Sequence, residues 1–383
     1  YAHNRDAQLR ALPPRAGAHT HHTPALSAAP RREAAAHAGP RLATGPRMRR
    51  VIVITGGTAG VGRATARRFA SEGDAVAVLA RGRDGLTATA SEIEQLGGRA
   101  LAIAVDVADP VQVEAAAERI ERELGPIDVW INNAMTTIVG PVAEVAPAEL
   151  RRVTDVCYHG YVWGTRAALF HMRPRNRGTI IQIGSALAYR SIPLQAAYCA
   201  AKHAIRGFTD SLRSELLHDR VNIDLCMAQL PAVNTPQFDW CANRTDHAVE
   251  PIPPIFEPEI IADAIHQLSV HPRREVFIGW PAIQAIVGNK LAPGIADRYL
   301  ASRGYTGQLT GEPNAQLPAN LFAPVAGDHG ARGRFVLQSR SRDAIARIST
   351  RLGGSGVQAV LAGLGLASIA LLAMAAVRRL APA

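Results

Sequence analysis

A chain of 383 residues can bury a large core, so one α/β domain with extensions is expected rather than two equal domains. The formal charge is +10, but the first 47 residues hold seven Arg against one Asp and one Glu, about half of that excess. With 5% aromatics and no Lys/Arg stripe interleaved with rings, the charge argues against a nucleic-acid surface.

Residues 1–47, rich in Ala, Arg, Pro and His without hydrophobic periodicity, are expected to be disordered. They lack the apolar run of a secretory signal, although an Arg-rich, acid-poor makeup is shared with transit peptides. The first methionine is Met48 and a strand pattern follows at once, so the tail also reads as translated upstream sequence.

Strand patterns then fall at 51–55, 75–80, 101–105, 127–132, 179–183, 222–226 and 275–278, with helical patterns such as 61–72, 110–124, 147–172 and 196–217 between them. This alternation predicts right-handed crossovers and a doubly wound parallel sheet of about seven strands. Such sheets bind ligands beyond the carboxyl ends of their strands, which are therefore the places to read.

The first strand runs into Thr55, Gly56, Gly57, Thr58, Ala59, Gly60, Val61 and Gly62, a glycine turn opening a helix. Glycines let backbone approach a pyrophosphate, and the helix N-terminus offers free N–H groups and a partial positive charge. The second strand ends in Ala80, where an NAD-preferring protein would place a carboxylate for the ribose, followed by Arg81. An arginine can hold a 2′-phosphate, so NADP(H) is favoured over NAD(H); read otherwise, Arg81 and Arg83 are solvated loop charges.

Farther along, Ser185 stands thirteen residues before Tyr198, and Lys202 lies four beyond it on the same helix face. A hydroxyl, a phenol and an ammonium together suit proton transfer to a carbonyl oxygen, the cation making the phenolate less costly. Tyr and Lys at this spacing are common on amphipathic helices, so the pair gains meaning only from its surroundings. The glycine turn with Ser185 and Tyr-x-x-x-Lys resembles the short-chain dehydrogenase/reductase family, over about residues 48–280.

That resemblance implies a Rossmann-type fold and an NADP(H)-dependent oxidoreductase with Ser185, Tyr198 and Lys202 as its catalytic set, Lys202 lowering the tyrosine's pKa and holding the ribose. Thr55, Gly56, Gly60, Val61, Gly62 and Arg81 would hold the cofactor, with Asp106 and Val107 against the adenine. Asn133, Ala134, Val233 and Thr235 would complete the cofactor site, Asn133 bracing the central strand. Three departures stand out: Met135 where the family usually has glycine, Cys157 where it has a relay-supporting asparagine, and Pro231 before Thr235. A thiol hydrogen-bonds weakly, leaving His159 as a conceivable substitute. A non-catalytic NADP-binding sensor or scaffold is the rival reading, favoured by Cys157 and the altered 230–235 stretch and opposed by the intact Ser, Tyr and Lys.

Residues 236–258, with Phe238, Trp240, Ile252, Ile255 and Phe256, correspond to the family's substrate-covering loop and point to a small, apolar substrate; read otherwise, these apolar residues pack against the next helix. The four cysteines, Cys157, Cys199, Cys226 and Cys241, show no CxxC or zinc-ligand spacing; they read as reduced thiols in a cytoplasmic protein without a metal. The catalytic domain is expected over 48–280 and a wrapping or site-covering extension over 281–350, with a helical pattern at 288–303. The last part, 351–383, is expected to form an apolar helix. Its uncharged core at 357–377 is twenty-one residues, about 31 Å as a helix, enough for a membrane anchor. Self-association is expected as well.

Overall fold

The computed structural model describes residues 49–279, 283, 286 and 289–340. The expected tail at 1–47 and apolar helix at 351–383 lie outside the described residues.

Seven strands form one parallel sheet: β1 (Val51–Thr55), β2 (Ala75–Ala80), β3 (Arg99–Ala104), β4 (Ile127–Asn132), β5 (Gly178–Ile183), β6 (Ile223–Gln229) and β7 (Glu275–Phe277). Their order is β7-β6-β5-β4-β1-β2-β3, so the direction of winding reverses between β1 and β4. A crevice opens there, at the carboxyl ends.

Strands covered on both faces read as continuous apolar runs, and β1, VIVIT, is buried at every position. Alternate side chains feed two cores. Val51 and Val53 join Val113, Ile120, Leu169 and Leu212 on one face, while Ile52 and Ile54 join Phe69, Ile93, Ile261 and Ile265 on the other. The first layer contains α3 (Pro110–Glu123), α4 (Pro147–Thr154), α5 (Gly160–Met172) and α6 (Ala196–His218); the second contains α1 (Gly60–Ala70), α2 (Arg83–Gln95) and α7 (Pro258–Val270). Helix α3 begins as its sequence dictates: Pro110 follows the N-cap Asp109, whose carboxylate accepts from the N–H groups of Val111 and Gln112.

A buried polar cluster fixes α5 to the central strands. The Asn132 amide donates to Thr165 Oγ1 and Gln182 Oε1, both at 3.0 Å, and its oxygen accepts from Trp130 Nε1 at 2.8 Å. Only glycine fits opposite: a Cβ at Gly164 would stand 2.2 Å from Asn132 Oδ1.

Two helical expectations need correction. The pattern at 147–172 is not one α-helix but α4 and α5 joined by a wider π turn, Asp155–His159. The turn carries Cys157, whose thiol donates to the Thr136 carbonyl at 3.0 Å and accepts from the Thr136 N–H at 3.3 Å. Similarly, the pattern at 288–303 is divided, because Pro293 lacks the N–H an interior helical residue needs and instead starts Pro293–Tyr299. Strand β6 also continues three residues beyond the expected 222–226, to Gln229.

The C-terminal extension returns to the domain. Leu309–Pro313 pairs antiparallel with His247–Val249, and the chain then runs along the open ends of the strands. Among the described residues, no helix is long and apolar enough to cross a membrane, and no cluster of side chains could hold a metal ion.

Candidate active site

A cavity of about 510 Å³ lies beyond the carboxyl ends of β1, β2, β4, β5 and β6. It brings together Gly56, Gly60, Val61, Arg81, Asp106, Val107, Asn133, Ala134, Ser185, Tyr198, Lys202, Val233 and Thr235 on one continuous wall. Thr55 and Gly62 stand just behind that wall and hold it. The Thr55 hydroxyl accepts from the N–H groups of Asn133 and Ala134 at 2.9 and 3.1 Å, and the Asn133 amide donates to the Gly56 carbonyl at 3.0 Å. These bonds lock the ends of β1 and β4 together across the crevice.

Why the turn is glycine follows from the contacts. Gly56 has a φ of +65°, and a Cβ there would meet Ala134 Cα at 2.7 Å; one at Gly62 would meet the Gly56 carbonyl at 2.2 Å. Both substitutions would close the cradle that a pyrophosphate needs beside the start of α1. Thr235 packs against the turn, with its Cγ2 3.1 Å from where a Gly60 Cβ would be. Its neighbour Asn234, which motif reading passed over, is fully buried and ties this loop to Glu257 and to the N–H of Phe335.

At the opposite end, the catalytic candidates converge from the end of β5 and from α6. Ser185 follows β5; its N–H donates to Gln229 Oε1 at 2.7 Å, and its hydroxyl accepts from the Leu187 N–H at 3.1 Å. Tyr198 lies in the first turn of α6, Lys202 one turn on. The lysine is 2% exposed, and its Nζ donates to the Ile183 carbonyl at 2.7 Å and to the Tyr161 hydroxyl at 3.1 Å. Burial lowers the Lys202 pKa to about 8, opposed by the Cys157 thiol.

Burial also pushes the Tyr198 phenol well above its usual value, with Cys157 and Cys199 adding to the effect and a hydrogen bond with Ser185 opposing it. Lys202 makes no direct hydrogen bond to this phenol, so the expected lowering of its pKa can come only from the ammonium's charge. The ammonium sits 5.4 Å from the Tyr198 ring centroid and spends its hydrogen bonds on Tyr161 and Ile183 instead. Tyr198 therefore holds its proton, as a donor to a carbonyl must.

Tyr161 was missed by motif reading, although it is a phenol one turn after Cys157 on the helix facing Lys202. It is 1% exposed, and its hydroxyl donates to the same Ile183 carbonyl at 3.2 Å. Gln229 was missed because β6 was expected to stop short of it. His159, by contrast, is not at the site: its ring contacts Asp155 at 3.0 Å and stacks on Trp163.

Two further expectations are refined. Asp106 faces the cavity but its carboxylate is engaged by Arg152 at 2.6 Å. Arg81 also faces the cavity, yet its guanidinium donates to the carbonyls of Asn320, Leu321 (3.4 Å) and Phe322 (3.0 Å). Of the apolar loop residues, Phe238, Trp240 and Ile252 line the cavity together with Met135, whereas Ile255 and Phe256 are fully buried and serve packing. All four cysteines are free and buried.

The glycine cradle, the crevice at the reversal of strand order and the cavity together fit an extended dinucleotide. Comparison with known proteins agrees. The short chain dehydrogenase family pattern matches residues 50–239. An uncharacterized oxidoreductase, YxnA, of Bacillus subtilis (strain 168) is 30% identical over 305 residues, 79% of this chain and 85% of that protein. The ketoacyl reductase HetN of Nostoc sp. is 32% identical over 64% of this chain and 84% of its own length. Among solved structures, an alcohol dehydrogenase from the archaeon Thermococcus sibiricus, complexed with 5-hydroxy-NADP, superposes with a TM-score of 0.52 at 25% identity, covering 60% of this chain and 95% of that one.

Proposed function

The chain belongs to the short-chain dehydrogenase family, and we propose that within it this protein is an NADP(H)-dependent oxidoreductase acting on the carbonyl or alcohol group of a small apolar molecule. The observation that carries the reading is that Ser185, Tyr198 and Lys202 share one cavity with the glycine turn. When bound, the nicotinamide supplies or accepts the hydride. Gly56, Gly60 and Val61 would hold the pyrophosphate, Arg81 the 2′-phosphate, Asp106 and Val107 the adenine side, and Asn133, Ala134, Val233 and Thr235 the nicotinamide side.

The chain's own part is proton handling. The Ser185 hydroxyl orients the substrate oxygen. Tyr198, kept protonated by burial, donates to that oxygen in reduction and takes a proton back in oxidation. Lys202 places a buried positive charge beside the phenol and so offsets the cost of the phenolate. Tyr161 and Ile183 keep that charge in position.

NADP(H) is favoured because Arg81 follows Ala80, where an acid would repel a 2′-phosphate. An apolar substrate fits Met135, Phe238, Trp240 and Ile252 on the cavity wall. The decisive experiment is a panel of aliphatic, steroid-like and acyl ketones with NADPH oxidation followed by absorbance. Turnover that is lost in Tyr198→Phe supports the reading; cofactor binding without turnover across the panel points to a sensor instead. The same reading keeps the catalytic unit in the cytoplasm, self-associated and tethered through the uncharged stretch 357–377, a proposal resting on sequence alone. An intact chain that stays in the high-speed supernatant without detergent would overturn the tether.

A further inference from the structure

We propose that residues 320–330 form a strap that is the outer wall of the cofactor cavity, and that the dinucleotide enters and leaves only when this strap lifts. The inference rests on the reading of the cavity as a nicotinamide dinucleotide site.

The strap is an arch between two buried feet. Leu321 is 2% exposed and packs into the main core; Ala331 and Phe335, each 5% exposed, seat the other end. Between them most residues from 322 to 328 are exposed, so the arch gains little from apolar burial. What holds it is a row of polar contacts, most of them made to the β2–α2 turn, α2 and the start of α1. Arg81 donates to the carbonyls of 320–322, and Arg152 Nε to the Leu321 carbonyl at 2.9 Å. The Asp84 carboxylate, in the first turn of α2, accepts from the Gly327 N–H at 2.8 Å. Asp328 pairs with Arg63 of α1 at 3.0 Å, and the Gly330 carbonyl accepts from the Gly60 N–H at 3.1 Å.

Two of those donors, Gly60 N–H and the Arg81 guanidinium, are groups expected to meet cofactor phosphates. Asn320, Pro324, Val325, Gly327 and His329 line the same cavity as the glycine turn. A molecule lying along that turn is therefore bounded by the strap: a phosphate reaching the Gly60 N–H displaces the Gly330 carbonyl, and one at Arg81 competes with the carbonyls of 320–322 for the guanidinium. The strap also touches the substrate loop, through an edge-on contact of His329 with Trp240, ring centroids 4.4 Å apart, and the Asn320 N–H bond to the Trp240 carbonyl at 2.9 Å. An arch whose own residues are mostly exposed, held between fixed ends by exposed and partly buried polar contacts rather than by apolar packing, opens at lower cost than global unfolding.

A reversible pin tests this. A Cβ built at Gly82, where φ is −83°, lies 3.4 Å from Pro324 Cβ, next to the roughly 3.5–4.5 Å that a disulfide spans. Both residues line the cavity, and the native thiols are buried out of reach. In the full chain carrying Gly82→Cys and Pro324→Cys, exchange of bound NADPH for excess NADP⁺ is followed by nicotinamide fluorescence, oxidised and after dithiothreitol. The oxidised pair is expected to slow exchange at least tenfold and the reduced pair to restore the wild-type rate.

Asp328→Ala, which leaves Arg63 its bonds to Glu92 and Thr89, should release NADPH faster, roughly tenfold for one charge-assisted contact, without changing hydride transfer in a single turnover. Equal exchange in the oxidised and reduced forms overturns the strap, as does an Asp328→Ala protein of lower thermal stability but unchanged release. Wild-type and reduced proteins that bind neither NADPH nor NADH overturn the dinucleotide reading, and the strap with it; that outcome is distinguishable because no exchange is then seen at all.

Discussion

The two ends of the cavity are built from different materials. At the glycine turn the surface is backbone, shaped by residues that must lack a Cβ: Gly56 at φ +65°, and Gly62 with 2.2 Å to the Gly56 carbonyl. At the proposed catalytic end the surface is side chain, with a lysine 2% exposed beneath a tyrosine and a serine, and a second tyrosine 1% exposed behind it. One end fails when an atom is added; the other fails when a proton or a charge loses its partner. Variants at the two ends should therefore separate binding from chemistry.

The largest effect is expected at the catalytic end. Tyr198→Phe should lower kcat/KM by about a thousandfold, within the range for loss of a general acid, while NADPH titration gives a nearly unchanged Kd. Activity retained on an established substrate would remove Tyr198 from the mechanism. The matching change at the other end, Gly62→Ala, forces a methyl group into a carbonyl contact and should cost about 1–3 kcal/mol or more in stability, with cofactor affinity falling in parallel. A variant that melts at the wild-type temperature and binds NADPH normally would break the comparison.

The pH dependence sharpens it further. Burial lowers Lys202 from 10.5 to about 8, so kcat/KM for reduction should be level near pH 7 and decline above about pH 8 as the ammonium is lost. Stability runs in the other direction. A folded-state pKa below the unfolded value means that the cost of burying the charge is full below pH 8 and fades as pH rises from 8 toward 10.5. Lys202→Met should abolish the alkaline limb along with most turnover; a limb that persists in Lys202→Met belongs to another group.

A smaller effect is expected from Arg81→Ala combined with Ala80→Asp. Because Arg81 also carries the carbonyls of 320–322, both cofactors should bind less well, and the informative number is the ratio of NADPH to NADH specificity constants, which should fall roughly tenfold or more. An unchanged ratio removes Arg81 from cofactor selection. Smallest of all is Cys157→Asn. The thiol is both donor and acceptor to Thr136, and an asparagine amide can fill both roles, so turnover within about threefold of wild type is expected. Lost activity in a folded variant would show that the space beside Lys202, rather than the hydrogen bonds, is what this position protects.

Much of the fold was legible because parallel strands buried on both faces write themselves as apolar runs, and the intervening helices as a 3.6-residue period. The glycine turn fits within eight consecutive residues, and Ser185, Tyr198 and Lys202 within eighteen, so local geometry alone brings each set together. Gln229 and Tyr161 were not legible. Their roles depend on which residues of β5 and α6 they meet, and no spacing along the chain encodes that.

The sequence by itself determined the alternating layers, the cradle at the end of β1 and the clustering of a hydroxyl, a phenol and an ammonium near the end of β5, since each is set by interactions over a few turns or a single crossover. Only the tertiary structure decided where the charges went. It turned Lys202 toward Tyr161 rather than the Tyr198 hydroxyl, spent Asp106 on Arg152, and laid a segment 239 residues away against Arg81. Residues 320–330 carry no period that would announce such a contact, and apart from Asp328 their position is fixed by two buried feet and by backbone N–H and carbonyl groups, which no sequence pattern can distinguish.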